Sequence, residues 1–218
     1  MQHSVKESAT VPLTGKPISK ACTREEGHRW LPVLRLLARL AAWANGRQAW
    51  CLEQLERWAL CSGVLQRFMI DRHERAFRTL LPALRNRPLH RVGIIGGGLF
   101  PRTVVVLGSL LPESRLVVVD ASASNIGAAR NYLEKRCGYA AHVEFVEGRF
   151  DPEQYQDFDL IVIPLGFLGD RNALYRGPMR PAMIVHDWLW CARGQAGVVV
   201  SYLLLKRLNL VIHMEAAG

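Results

Sequence analysis

Three consecutive glycines, Gly96–Gly98, mark the stretch of this sequence best suited to bind a ligand. The apolar run Val92–Ile95 precedes them, and Pro101 opens a second apolar run, Thr103–Leu111. This order predicts a buried strand, a tight turn and a helix, as in the nucleotide sites of α/β proteins. Glycine lets the backbone approach a ligand closely and leaves the amide N–H groups of the turn accessible.

The glycine spacing argues against a dinucleotide. The fingerprint G-x-G-x-x-G requires a third glycine at position 101, where this chain has Pro101, so NAD and FAD are disfavoured. A turn that merely packs a strand on a helix is the alternative interpretation. S-adenosylmethionine (SAM) has no phosphate and requires chiefly backbone room for its amino-acid moiety.

The residues Gly96-x-Gly98-x-x-Pro101-x-Thr103 resemble motif I of class I SAM-dependent methyltransferases. The ending with proline and threonine is most similar to the nicotianamine-synthase-like branch, which uses SAM as an aminobutyl donor. The resemblance covers roughly residues 92–165 and implies a Rossmann-like fold. It also implies SAM as the cofactor and S-adenosylhomocysteine as the product. The cofactor contacts implied in the turn are Gly96, Gly97, Gly98, Leu99, Pro101 and Thr103.

Asp120 closes the second predicted strand, 24 residues beyond Gly96. An acid about 20 residues after such a turn accepts the ribose hydroxyls, because two acceptor oxygens suit two vicinal O–H donors. Ala121 and Ser122 follow as predicted cofactor contacts. The alternative is that Asp120 caps the next helix, a role that Ser122 or Ser124 could share.

The end of the third strand departs from the family pattern. Many family members have Gly-Asp there, with the acid on the adenine amino group, whereas this chain has Glu147-Gly148-Arg149. We retain all three residues as cofactor contacts, and Glu147 or Asp151 could replace the missing acid. Arg149 could equally bind a substrate carboxylate or lie in solvent.

After the fourth strand, Pro164–Phe167 occupies the place of the Asp/Asn-Pro-Pro-Phe/Tyr motif of amino-methyltransferases. The Asp or Asn that would accept from the target amine is missing, so the match does not predict N-methylation. Pro164 and Leu165 remain predicted cofactor contacts, and Phe167 a substrate contact. The loop that follows is polar and supplies further predicted substrate contacts, namely Asp170, Arg171, Tyr175 and Arg176.

The triplet His186-Asp187-Trp188 ends the fifth predicted strand. A histidine beside the cofactor could remove a proton from a nucleophile before transfer. Neighbouring strand residues point opposite ways, so His186 and Asp187 cannot both face the site if the strand continues through them. His186 and Asp187 are the candidate catalytic residues and Trp188 a substrate contact, whereas a buried structural histidine is the alternative. The seven histidines lack metal-ligand spacing, so no metal site is expected.

The second half of the chain predicts an α/β fold, a Rossmann-like, doubly wound and mostly parallel sheet, because its strands are continuous apolar runs. A buried helix is predicted over Val198–Leu208 and a last strand over Leu210–Met214. A full class I sheet ends in an antiparallel seventh strand, for which the chain is expected to be too short. The predicted strands are Val92–Ile95, Arg115–Asp120, His142–Gly148, Asp157–Pro164 and Ala182–Asp187, with helices over Thr103–Leu111 and Ala123–Arg136.

The first 90 residues differ in composition, and we predict a flexible tail over 1–24, an Arg-rich helical cap or lid over 25–90 and a SAM-binding domain over 91–218. Helical periodicity runs from Glu25 to Gly46, from Ala49 to about Leu60 and from Val64 to about Leu84. A break is expected at Cys61-Ser62-Gly63. The polar side of the second helix is predicted to carry Glu53, Glu56 and Arg57.

Of the 28 Lys and Arg residues, 15 lie in residues 1–90, with 7 of the 19 Asp and Glu. This asymmetry allows an acidic partner such as nucleic acid, but basic faces of amphipathic helices are ordinarily solvated. A small-molecule substrate is favoured, and a homodimer stays open. No apolar run reaches the ~18–20 residues of a membrane span. The N-terminus lacks an apolar signal, and five scattered cysteines without C-x-x-C indicate the cytoplasm.

Together these features predict a SAM-dependent methyltransferase that acts on a small-molecule acceptor. Aminobutyl transfer from SAM is the first alternative, motivated by Pro101-x-Thr103. The second alternative is a non-catalytic module that kept the nucleotide fold and binds an acidic partner through its basic helices, because a fold does not determine a function.

Overall fold

The computed structural model describes residues 56–136, 143–167, 169–177, 181–202 and 205–213, all within the second of two compact units, Ala41–Gly218. The predicted tail and the predicted helix from Glu25 to Gly46 lie outside the described residues. Residues 56–61 are helical. The longer helices are α1 (Gly63–Leu80), α2 (Arg102–Leu110), α3 (Ala123–Arg136) and α4 (Arg171–Arg176). The strands are β1 (Arg91–Ile95), β2 (Arg115–Asp120), β3 (Val143–Glu147), β4 (Leu160–Ile163), β5 (Ala182–Trp188), β6 (Ala196–Ser201) and β7 (Lys206–Val211).

The seven strands form one sheet in the order β3-β2-β1-β4-β5-β7-β6. β1 pairs in parallel with both β2 and β4, and the outer pairs β2–β3 and β4–β5 are parallel as well. β7 lies antiparallel between β5 and β6. The predicted doubly wound, mostly parallel α/β sheet is therefore confirmed. The strand order reverses between β1 and β4, where ligands bind in sheets of this kind.

Two expectations for the end of the chain are wrong. The run Val198–Leu208 is not a helix: it contributes to β6 and β7, which are joined by a turn containing Leu205 at a φ of +49°. The sheet also has the antiparallel seventh strand for which the chain was expected to be too short. An apolar run does not by itself distinguish a buried helix from a buried strand, and the consecutive valines of β6 favour the strand.

The helix α1 begins at Ser62, whose hydroxyl accepts a hydrogen bond from Leu65 N at 3.3 Å. A serine in this position satisfies one of the amides that the first helical turn leaves unpaired. The predicted break at this point is confirmed. The helix ends at Leu80, and a 3-10 turn over Leu81–Leu84 follows with Pro82 near its start.

The two faces of the sheet carry separate core clusters. On one face, Phe77 and Leu80 of α1 and Leu107 of α2 pack against alternate strand residues, among them Ile184 of β5 and Leu208 of β7. On the opposite face, the intervening strand residues form a second cluster, which includes Ile95, Val119, Ile163 and Val185. The two clusters are separate because alternate residues of a strand point to opposite faces. The helix α1 packs on one face of the sheet, where it covers β7.

Residues 189–195 connect β5 to β6 without a helix. Leu189 N donates to Leu205 O at 2.7 Å, and Gln195 N donates to Leu210 O at 2.9 Å, so the connection is fastened to both ends of β7. Among the helices of the described ranges, none is both long and apolar enough to cross a membrane.

We predict that Phe77→Ala lowers the free energy of unfolding by about 3–5 kcal/mol, because the ring is fully buried between α1 and the sheet. Phe68→Ala on the same helix is the control, since Phe68 is 36% exposed and should cost less than about 1.5 kcal/mol. Urea unfolding followed by circular dichroism measures both. Equal losses for the two variants would contradict the packing of α1 on the sheet.

Candidate functional site

A cavity of about 740 Å³ lies at the carboxyl ends of β1, β2 and β4, where the strand order reverses. Its volume suits a small-molecule ligand. Many of the predicted site residues line it: Gly96, Gly97, Gly98, Leu99, Pro101, Thr103, Asp120, Ala121, Gly148, Arg149, Pro164, Leu165, Phe167 and His186. Residues that the sequence did not indicate also line it, notably Glu56, Arg102, Asn125 and Phe150.

The glycine turn requires glycine at two positions for its backbone shape. Gly96 has a φ of +66° and Gly98 a φ of +63°, in the left-handed region that side chains disfavour. A Cβ on Gly98 would also lie 2.6 Å from Glu56 Oε2. The turn therefore brings its backbone into direct contact with a carboxylate from the helical segment before Ser62.

Asp120 holds the turn from the end of β2. Its Oδ2 accepts from Gly98 N at 3.2 Å, and its Oδ1 accepts from Ser122 N at 2.9 Å. Asn125 Nδ2 lies 3.4 Å from Oδ1. Asn125 Nδ2 also lies 3.5 Å from Oδ2. A carboxylate has about four acceptor positions, so a ligand hydroxyl would take the place of the long contacts from Asn125. The Ser122 hydroxyl accepts from Asn125 N at 3.4 Å and thus caps α3 instead of lining the cavity.

Glu56 is the principal site residue that sequence reasoning missed. It was predicted on the polar side of a helix, yet its side chain is only 18% exposed. Its Oε2 accepts from Leu99 N at 2.9 Å, and its Oε1 accepts from Arg102 Nη1 at 3.1 Å. No local pattern distinguishes a glutamate on a solvated helix face from one that meets a turn 40 residues away.

Two buried histidines and a buried lysine lie behind Arg102. The rings of His73 in α1 and His186 in β5 are 5.6 Å apart, and Lys206 of β7 is 4% exposed. His73 Nδ1 is 2.9 Å from Met69 O, and a carbonyl only accepts, so Nδ1 carries the proton. His73 Nε2 then accepts from Arg102 Nε at 3.4 Å.

These buried groups favour their uncharged forms. Burial lowers the pKa of His186 well below its usual value, and the nearby charge of Lys206 lowers it further. The pKa of His73 is lowered by the same two causes in the same order. Burial also lowers the pKa of Lys206, with Arg102 adding to the effect and Glu56 opposing it.

Asp187 points to the opposite face of β5 from His186, because β5 continues through Trp188. Its Oδ2 accepts from the Tyr175 hydroxyl at 2.6 Å, and its Oδ1 lies 3.6 Å from Arg171 Nη1. Burial raises the pKa of Tyr175, and the hydrogen bond to Asp187 raises it further. Asp187 does not line the cavity.

Arg171 fastens the loop after β4 to the end of β5. Its guanidinium donates to His186 O at 3.0 Å, to Pro164 O at 2.8 Å and to Leu165 O at 2.5 Å. Three of its five N–H donors are therefore engaged with backbone carbonyls, and the guanidinium cannot use all five on a ligand. Arg171 and Tyr175 therefore border the site as supports of its wall, outside the cavity lining.

The remaining predicted substrate contacts also lie outside the cavity lining. Asp170 accepts from Asn172 N at 2.8 Å and so caps α4. Trp188 stacks on Trp190, with ring centroids 5.6 Å apart and planes 6° from parallel. Arg176 is exposed, and the predicted cofactor contact Glu147 is exposed as well.

The wall after β3 and β4 is aromatic. Phe150 lines the cavity and makes an edge contact with Phe167 at 5.9 Å and a stacked contact with Tyr155 at 5.2 Å. Glu147 and Asp151 were the two predicted substitutes for the family's adenine-binding acid, and neither lines the cavity; Asp151 accepts from Gln154 at 3.0 Å. Aromatic packing thus replaces an acid on this wall.

No protein-family model and no curated protein matches the sequence. Among solved structures, the nicotianamine synthase MtNAS in complex with MTA and tNA matches with a TM-score of 0.53 at 16% identity, over 74% of this chain and 69% of that chain. A point mutant of MtNAS in complex with SAM matches with a TM-score of 0.51 at 18% identity, over 65% and 62% of the two chains. An RNA methyltransferase from Salinibacter ruber with S-adenosylhomocysteine gives 0.46 at 16% identity, over 65% and 93%.

The sheet and the matches to MtNAS show that the chain has the fold of class I SAM-dependent methyltransferases, which confirms the predicted resemblance at the level of the fold. The matches to MtNAS, a nicotianamine synthase, have TM-scores of 0.51 to 0.53. The aligned part of this chain spans 60% to 69% of the length of MtNAS.

We predict that the protein loses stability as the pH falls below about 6.5, the usual histidine pKa. His73 and His186 have lowered pKa values in the folded state, so the unfolded chain binds more protons below that pH. Each histidine contributes a slope of up to about 1.4 kcal/mol per pH unit. Urea unfolding at pH 7.5 and 5.5 measures the loss.

His186→Leu should reduce this pH dependence, because the buried titrating group is gone. His90→Gln is the control, since His90 is exposed. A His186→Leu variant with the pH slope of the wild-type protein would show that His186 is not held neutral by the fold.

Proposed function

We propose that the protein is a SAM-dependent transferase that acts on a small-molecule acceptor. The observation that carries the proposal is the carboxylate-bound glycine turn opening into a cavity of about 740 Å³ at the reversal of strand order. A tight glycine turn, an acid at the end of β2 and a concave site suit a nucleoside ligand with an amino-acid tail.

The residues of the cavity fit SAM by type. The Asp120 carboxylate can accept from ribose hydroxyls in place of its long contacts from Asn125, and Phe150 with Pro164 and Leu165 supplies apolar surface for adenine. The amino-acid moiety would lie along the turn, near Glu56 and Arg102. SAM supplies a sulfonium whose attached carbons are electrophilic. The chain then has to orient an acceptor, exclude water and remove the acceptor's proton.

Two transfers from SAM remain candidates at this site. Methyl transfer is the common reaction of the fold and requires a base only when the acceptor is protonated. Aminobutyl transfer is supported by Pro101-x-Thr103, by the match to a nicotianamine synthase and by the position of Glu56. A carboxylate beside the turn is close to the expected place of the amino-acid carbons, where it can accept a proton from an amine nucleophile.

We predict that SAM raises the thermal stability of the wild-type protein and that NAD does not. A ligand at 100 times its Kd adds roughly 2.7 kcal/mol. Asp120→Ala should abolish the shift because it removes the ribose acceptor, whereas Asp157→Ala, an exposed control, should retain it. Release of S-adenosylhomocysteine indicates methyl transfer, and release of methylthioadenosine indicates aminobutyl transfer. A shift with NAD alone would contradict the proposal.

We predict that Glu56→Gln keeps SAM affinity within a few-fold of the wild-type value. The rate of product formation should fall by at least about 100-fold, the lower end of general-base contributions. The amide still accepts from Leu99 N but is a poor proton acceptor. Chromatographic assay of the adenosine product measures the rate, and Glu113→Gln is the exposed control. Wild-type turnover in Glu56→Gln would rule out the basic role.

A further inference from the structure

Arg102 and Glu56 line the cavity beneath α1, and the basic side chain of Lys206 lies buried within electrostatic reach of both, outside the cavity lining. Arg102 is 15% exposed and Lys206 is 4% exposed. Among the described residues, Glu56 is the carboxylate whose charge stabilises protonated Lys206. Glu56 already accepts hydrogen bonds from Leu99 N and Arg102. Glu56 balances one positive charge, so a protonated Lys206 beside Arg102 would require a second negative charge.

The strand register brings His186 to the same place. Trp188 of β5 pairs with Lys206 of β7, and His186 pairs with Leu208. Paired residues of antiparallel strands point to the same face, so His186 and Lys206 project together toward α1 and Arg102. His186 is 3% exposed and lines the cavity.

His186 has an unmet hydrogen-bonding requirement. Its Nε2 is buried and has no partner among the described residues, whereas both ring nitrogens of His73 are engaged. Buried polar atoms are nearly always hydrogen-bonded in native proteins, so an orphaned one beside a cavity indicates a missing ligand group.

We propose that His186, Lys206 and Arg102 form a binding subsite for a carboxylate group. A carboxylate accepts several hydrogen bonds, which suits the Arg102 guanidinium, the orphaned Nε2 of His186 in its N–H form and a protonated Lys206 on the same face of the sheet. A cationic or neutral group would leave Arg102 and a protonated Lys206 with only the charge of Glu56 to balance them. Burial lowers the pKa of Lys206, and a bound carboxylate would favour its charged form, so binding should take up protons.

This inference rests on the proposed function, because the carboxylate belongs either to the amino-acid moiety of SAM or to the acceptor. Lys206→Met tests it, since methionine keeps an unbranched apolar side chain and replacing a buried charge by an apolar group is compatible with folding. Lys135→Met, on the exposed side of α3, is the matched control. Calorimetry gives the Kd of each variant for SAM, decarboxylated SAM and methylthioadenosine.

If the subsite binds the carboxylate of SAM, Lys206→Met weakens SAM by at least about tenfold, as expected for a lost charge-assisted hydrogen bond. The affinities for decarboxylated SAM and methylthioadenosine should change less than about twofold. In a second experiment, acetate is titrated into free and S-adenosylhomocysteine-loaded protein, with chloride at equal ionic strength as control. Binding is measured as a shift of the NMR resonances of the His186 imidazole, which are assigned by their loss in His186→Gln.

An acetate response that Lys206→Met abolishes, with SAM affinity unchanged, assigns the subsite to the acceptor's carboxylate. Unchanged SAM affinity together with no acetate response overturns the subsite. If wild-type protein responds to acetate but binds neither SAM nor S-adenosylhomocysteine, the proposed function fails and the subsite stands.

Discussion

Two carboxylates hold the main-chain amides of the glycine turn, and the geometry of the site depends on them. Asp120 binds Gly98 N from the end of β2, and Glu56 binds Leu99 N from the helical segment before α1. In the β1–β2 register Ile95 pairs with Val119, so Asp120 follows at the end of β2 beside the start of the glycine turn. The turn is thereby clamped from two directions, by an adjacent strand and by a segment distant in the sequence.

Successive side chains of β5 point to opposite faces of the sheet, so its two polar residues, His186 and Asp187, contact different groups. His186 faces α1 and lies near His73, whereas Asp187 faces α4 and contacts Tyr175 and Arg171. Arg171 links the faces indirectly, because it holds the carbonyl of His186 and the cavity loop after β4. The support of the loop is thus mechanically connected to the wall, and the charge of Arg171 adds to the causes, burial first, that lower the pKa of His186.

The sheet up to β5 and the turn could be predicted from sequence because they depend on local patterns, namely apolar runs, glycine spacing and an acid at a strand end. The β6–β7 hairpin could not, since an apolar run followed by Lys206 and Arg207 does not show that the lysine is buried. Glu56 and Lys206 were missed for the same reason. Their positions depend on packing between distant segments, which leaves no local trace in the chain.

The placement of β7 between β5 and β6 has a consequence for how the protein is made. The helix α1 packs on β6, although more than a hundred residues separate these two elements in the chain. β6 in turn joins the sheet only through β7. Contacts of such high sequence separation are slow to form, because long loops must close first. During synthesis, α1 can pack on α2 early, but the part of its apolar face that contacts β6 waits for the last strands, and a nascent chain halted before residue 206 would present that part to chaperones.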